Sequence, residues 1–137
     1  MRVLLDTNIL LDVLLKRDPW VEQASAVWQA SDEGEITGYI MACAIADIFY
    51  IARRLVTLET ARAAVRICLD AFEVCPVDQQ VLEHAETLSG SDFEDNIQIA
   101  CADMAGLDAI VTRDKKGFQS TVISVLTPSE LLAQLEG

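Results

Sequence analysis

Apolar residues along this chain follow two alternating rhythms. Short solid runs at Val3-Leu4-Leu5, Ile36 to Met41, Phe72 to Val77 and Ala109 to Thr112 have the length and continuity of strands buried on both faces. Between them apolar residues recur at helical spacing. Ile9 to Leu15 predicts a first helix. Asp18-Pro19 reads as a cap with proline in the first helical position, opening a second helix through Val21, Ala24, Val27 and Trp28 that stops near Gly34. Ala44 to Leu55 predicts a strongly buried helix on Ile45, Ile48, Phe49, Ile51 and Ala52, and Thr57 caps the next. Asp78 caps a helix over Gln79 to Leu88, and another runs from Glu94 to Ala105 with Gly106 as its stop. Val122 to Val125 reads as a short edge strand, and Thr127-Pro128-Ser129-Glu130 is a capping box opening a last helix.

Strands that alternate with helices imply an α/β fold: a mainly parallel central sheet with helices on both faces. The 137 residues suit a single domain, 1–137. The pattern does not set the strand order. It does place two acids at strand ends, since Val3-Leu4-Leu5 runs into Asp6-Thr7-Asn8 and Ala109-Ile110-Val111 into Thr112-Arg113-Asp114. In open parallel sheets the ligand crevice lies beyond the carboxyl ends of the strands, and two carboxylates there repel each other unless a cation lies between them.

Two more acids join them. Asp47 interrupts the most apolar helix of the chain, and Asp95 begins a helix that continues Ile97, Ile99, Ala100, Ala102. Asp92, three residues earlier, is the better cap and leaves Asp95 free. Each acid has a plain alternative. Asp6 could cap the first helix, Asp47 could pair with Arg54 or Arg113, Asp95 could serve only its helix terminus, and Asp114 could be a turn residue. Glu94 reads as solvent-facing. An all-carboxylate donor set selects Mg²⁺ or Mn²⁺ over zinc or copper. Thr7, Asn8 and Thr112 could orient these carboxylates, or Thr112 could simply cap its strand.

Composition narrows the classes further. Hydrophobic residues make up 52% of the chain, enough for a packed core and too much for disorder. The longest apolar stretches break at Asp, Arg or Gly before membrane-spanning length, and Arg2 precedes too short an apolar run for a secretory signal. We therefore expect a cytoplasmic protein without membrane association. None of the four cysteines forms a Cys-x-x-Cys pair, so they read as reduced core thiols, and the lone His84 lies beside Glu83 and Glu86 as a surface residue. Both features argue against zinc. The net charge of −12 argues against generic nucleic-acid binding. Local basic groups exist at Arg53-Arg54 and at Arg113 with Lys115-Lys116.

Val3-Leu4-Leu5-Asp6-Thr7-Asn8-Ile9-Leu10 resembles the opening of a PIN domain. Asp95-Asn96-Ile97-Gln98-Ile99-Ala100-Cys101-Ala102, Gly106 and Ile110-Val111-Thr112-Arg113-Asp114, followed by Phe118, resemble that family's closing signature. Ala44 to Ile51 aligns with the helix that carries the second acid. The resemblance implies a PIN-like three-layer sandwich and a Mg²⁺- or Mn²⁺-dependent ribonuclease, with Asp6, Asp47, Asp95 and Asp114 as the acidic cluster. Its reaction would be hydrolysis of an RNA phosphodiester by activated water, with Arg113, Lys115 and Lys116 on the RNA backbone. Similarity to VapC-type toxins further implies a small cognate antitoxin and a homodimer.

The chain departs from the family at three points. The second acid is usually Glu; Asp47 is one methylene shorter, which draws the carboxylate back by about 1.5 Å. Asn96 replaces a small apolar residue, and the last acid varies among relatives. A non-catalytic PIN-like module that binds RNA or protein through a weakened metal site is the main alternative. A phosphoacceptor receiver domain would need an apolar strand ending in Lys, and none is present. A phosphatase with an Asp nucleophile would need a second Asp two residues after Asp6, where Asn8 stands.

Overall fold

The computed structural model describes all residues 1–137. Five parallel strands, β1 (Arg2–Leu5), β2 (Thr37–Met41), β3 (Glu73–Cys75), β4 (Ala109–Val111) and β5 (Ser124–Leu126), form one sheet in the order β3-β2-β1-β4-β5. Seven helices connect and flank them: α1 (Thr7–Leu14), α2 (Val21–Asp32), α3 (Ala42–Leu55), α4 (Leu58–Ala71), α5 (Gln79–Glu86), α6 (Phe93–Met104) and α7 (Pro128–Glu136). A 3₁₀ turn covers Lys115–Phe118.

The pleat sorts each strand between two cores. Val3 and Leu5 of β1, with Ala109 and Val111 of β4, face residues of α1 to α4 and α7, including Leu10, Leu11, Val27, Ile48 and Leu131. Leu4 and Ile110 face the opposite side, against Val81 and Ala85 of α5 and Ile97, Ile99 and Ala100 of α6. Leu4, Leu5 and Ile110 are at most 1% exposed, and burying each such side chain stabilises the fold by about 2 kcal/mol. The result is a sandwich with helices on both faces of a parallel sheet, as the alternation predicts.

Strand order, which the pattern left open, places the site. β1 is central: the chain runs outward from it through β2 to β3, then crosses back to β4 on its other side. That reversal opens a crevice at the carboxyl ends of β1 and β4. Asp6 and Thr112 are the first residues beyond those two strands.

Several boundaries differ from the sequence reading. α2 starts at Val21 with Trp20 at its cap position and no side-chain cap; residues 18–20 form a turn, so Pro19 precedes the helix rather than opening it. α1 starts at Thr7 and α3 at Ala42, each directly after its strand. β3 ends at Cys75 because Pro76 has no N–H to continue the ladder. The edge strand lies at Ser124–Leu126, beyond the fully exposed Val122. The caps at Thr57, Asp78 and Thr127 form as expected, the last as a full capping box. Gly34 and Gly106, with φ of 80° and 67°, end their helices in the left-handed conformation that favours glycine. All four cysteines are free thiols. No helix is long and apolar enough to cross a membrane.

Candidate active site

Asp6 occupies the position that would cap α1, yet its side chain makes no capping bond. Gln98 of α6 donates from Nε2 to its Oδ1 at 3.0 Å, and Thr112, just past β4, donates from Oγ1 to its Oδ2 at 2.8 Å. The carboxylate is thus drawn toward α6 and β4, and the Asp6 N–H reinforces the seam by donating to the Val111 carbonyl at 2.9 Å. Thr112 is fully buried and its hydroxyl also accepts from the Asp114 N–H at 3.2 Å, so one side chain ties Asp6 to the chain after β4.

α6 enters the same crevice by its first turn. Asp92 caps it by accepting from the Asp95 N–H at 3.1 Å, which leaves the Asp95 carboxylate free of that duty. From α3, Asp47 reaches the crevice without an ion pair to Arg54 or Arg113. The cavity of about 320 Å³ is lined by Asp6, Thr7, Asn8, Leu11, Asp47, Ile51, Asp92, Glu94, Asp95 and Gln98. Three distant segments therefore deliver carboxylates to one pocket whose lining contains no Lys, Arg or His. Asp114 is not in that lining; its carboxylate caps the 3₁₀ turn by accepting from the Lys116 N–H at 3.1 Å. Its negative charge still reaches Asp95.

The crowding of like charge shows in the protonation equilibria. Glu94 is pushed up to about 7, first by a hydrogen bond shared with Asp47, then by burial and by the charges of Asp47, Asp92 and Asp6. Asp95 is pushed up to about 6 by burial and by the charges of Asp92, Asp6 and Asp114. Both folded-state values exceed the unfolded ones, so the folded state holds these protons more tightly. The resulting penalty is absent below the unfolded values near 4, grows as pH rises, and is complete above about 7. Metal-free protein is accordingly expected to melt at lower temperature near pH 8 than near about pH 5.5. Asp47→Asn should flatten that dependence, and differential scanning fluorimetry across pH checks both.

The profile of the PIN domain family matches residues 2–116. The chain belongs to the PIN domain family. Among solved structures it is similar to DNA-bound VapBC from Salmonella typhimurium, at TM-score 0.74 and 19% identity over 93% of this chain and 98% of that one. It is also similar to VapC20 of Mycobacterium tuberculosis, described as a sarcin–ricin loop cleaving toxin, at TM-score 0.69 and 15% identity over 85% and 92% of the two chains. A toxin–antitoxin complex from Klebsiella pneumoniae matches at TM-score 0.67 and 23% identity over 92% and 97%. At these identities the likeness is one of fold. No curated protein matches the sequence.

The donors of this PIN domain suit a hard cation. All are oxygen atoms, and two further oxygens at the pocket, Thr7 Oγ1 and Gln98 Oε1, are buried without a partner. No three acidic, His or Cys groups lie close enough to grip one ion together. A cation here would be held by one or two carboxylates and would keep most of its waters.

The basic residues expected on the RNA backbone have different surroundings. Arg113 donates to both oxygens of Asp12, at 2.9 and 3.3 Å, and lies over the Trp20 ring at 3.9 Å. Lys115 pairs with Glu130 at 2.6 Å. Lys116 is exposed and forms no ion pair. Two contributors went unnoticed in the sequence. Gln98 and Asp12 each interrupt an apolar run, Ile97-Gln98-Ile99 and Leu11-Asp12-Val13, which is the signal that singled out Asp47. Glu94, read as solvent-facing, is exposed and also lines the pocket.

Gly117 matters through what it lacks. A Cβ there would run into the Asp95 carboxylate, which packs against the glycine backbone. Gly117→Ala is expected to displace Asp95 and cut divalent-dependent activity about 10- to 100-fold, with the fold retained. Circular dichroism beside a cleavage assay checks it.

Proposed function

We propose that this PIN domain is a Mg²⁺- or Mn²⁺-dependent endoribonuclease that hydrolyses RNA phosphodiester bonds, and that it is the toxin of a toxin–antitoxin pair. The observation that carries the reading is the convergence of Asp6, Asp47 and Asp95 on one pocket without a protein cation, where Glu94 and Asp95 hold protons too tightly for ordinary carboxyls. A divalent cation relieves that repulsion. One or two of Asp6, Asp47 and Asp95 would bind the ion directly and the rest through its waters, with Asp114 adding charge from the rim.

Once bound, such an ion polarises a phosphoryl oxygen and lowers the pKa of an attacking water. The chain's own part is to fix the carboxylates. Gln98 and Thr112 hold Asp6 from two sides, the backbone at Gly117 seats Asp95, and the Asp92 cap frees it. No side chain need act as a covalent nucleophile. Thr7 and Asn8 line the pocket beside Asp6, and Thr7 Oγ1 is buried there without a partner.

The toxin reading draws support from the structural neighbours, which include VapBC complexes and the sarcin–ricin loop cleaving toxin VapC20. It includes a small antitoxin as partner, a homodimer and a cytoplasmic site of action. Expression should arrest growth, Asp6→Asn should relieve the arrest, and co-expression of a small neighbouring gene should do the same. One observation favours the alternative of a non-catalytic RNA- or protein-binding module: no three acids are close enough to seize one ion. The deciding experiment is cleavage of end-labelled single-stranded RNA with Mn²⁺ or with chelator. Mn²⁺-dependent internal cuts absent from Asp6→Asn support the nuclease; an inert wild-type protein that still binds RNA supports the alternative.

A further inference from the structure

Gly117, against which the Asp95 carboxylate packs, also lines a second cavity of about 480 Å³. Its lining comprises Lys116, Gln119, three serines and two glycines, with neither an apolar nor an acidic side chain. In a chain of net charge −12 that composition is distinctive. Lys116 is the member of the basic group that no acid holds. The backbone N–H groups of Ser89, Gly90 and Ser91 donate no hydrogen bond within the chain. Ser120 Oγ is shielded from solvent and has no partner. At Gly90 a Cβ would lie 2.5 Å from Asn96 Oδ1, so the loop can run this close only without a side chain.

Successive unpaired N–H groups, a free ammonium and a waiting hydroxyl are the donors that hold a phosphate. We propose that this groove binds a backbone phosphate of single-stranded RNA next to the bond cut in the acidic cleft. The assignment rests on the nuclease reading for its direction along the strand. Asp95 lines the acidic cleft and packs against Gly117, which lines the groove, so the two cavities adjoin. The lining has no aromatic ring on which a base could stack, so the groove reads backbone rather than sequence.

The test uses the full chain carrying Asp6→Asn and a fluorescent single-stranded RNA of about 12 nucleotides, followed by anisotropy. Lys116→Glu should weaken binding about 10-fold and lower the log–log salt slope by about one phosphate contact, while Arg62→Glu on exposed α4 changes affinity less than about twofold. Ser91→Asp should act as Lys116→Glu does. Equal effects of Lys116→Glu and Arg62→Glu overturn the groove. With Asp6 restored, RNA cleavage whose KM ignores Lys116→Glu also overturns it while leaving the nuclease reading intact. RNA binding that depends on Lys116 in a protein with no cleavage under any metal supports the groove and removes the nuclease.

Discussion

Asp6→Asn is expected to lower the kcat of the proposed divalent-dependent RNA cleavage by about 10²- to 10³-fold, the range seen when one electrostatic contact to a developing charge is removed. The substitution is nearly isosteric, yet its effect on the pocket is large. Both neighbours of Asp6, Gln98 Nε2 and Thr112 Oγ1, are donors at 3.0 and 2.8 Å. A carboxylate accepts from both, whereas an amide can accept on one side only and turns its own N–H₂ toward the other donor. The side chain therefore loses its charge and its fixed orientation together. Thr112→Val, which removes one of the two tethers and no charge, should cost a smaller 10- to 100-fold. Initial rates on a fixed RNA, with folding checked by circular dichroism, measure both. A Thr112→Val loss equal to that of Asp6→Asn would assign the threonine a larger role than orientation.

Arg113→Met is expected to destabilise the fold by about 3 kcal/mol, the range for breaking a buried ion pair from one side. Asp12 is 0% exposed and lies between Arg113 and Arg17, with the Arg17 Nε contact at 3.2 Å. Removing Arg113 leaves that carboxylate with one cation, itself partly exposed. It also removes the guanidinium from the Trp20 ring, a cation–π contact worth about 0.5–1 kcal/mol at such a site. Asp12→Asn should cost less, because the amide needs no counter-charge. Urea denaturation curves for the two variants decide it. A loss under about 1 kcal/mol for Arg113→Met would mean that Asp12 is neutralised by other means. The same pair anchors the segment that carries Thr112 and Asp114, so activity should fall with stability.

The fold was legible in the sequence because both of its signals are periodic. Solid apolar runs separated by helical spacing give parallel strands and crossovers, and the caps at Thr57, Asp78, Asp92 and Thr127 rest on local side-chain chemistry that tertiary contacts leave alone. Strand order was not legible, since it depends on which hydrophobic faces meet across the whole chain. The Asp18–Pro19 start failed because residues 18–20 form a turn and the helix begins only at Val21. The acids at the strand ends were legible by position, and the structure brings Asp6, Asp47 and Asp95 to one pocket. Asp114 could not be placed from sequence, because a single turn decides whether its carboxylate faces the pocket or the Lys116 N–H. Gln98 and Asp12 were missed although the rule that found Asp47, a polar residue inside an apolar run, applied to both. The fate of Arg113 followed from the same omission: with Asp12 overlooked, its guanidinium looked free.

The most direct measurement is anomalous diffraction from a crystal soaked in Mn²⁺ near pH 8, above the raised values of Glu94 and Asp95. A manganese peak bordered by Asp6, Asp47 and Asp95, absent from Asp6→Asn crystals soaked alike, is the predicted result. Full occupancy elsewhere on the surface with no density in that pocket would contradict a divalent-ion site and, with it, the hydrolytic function.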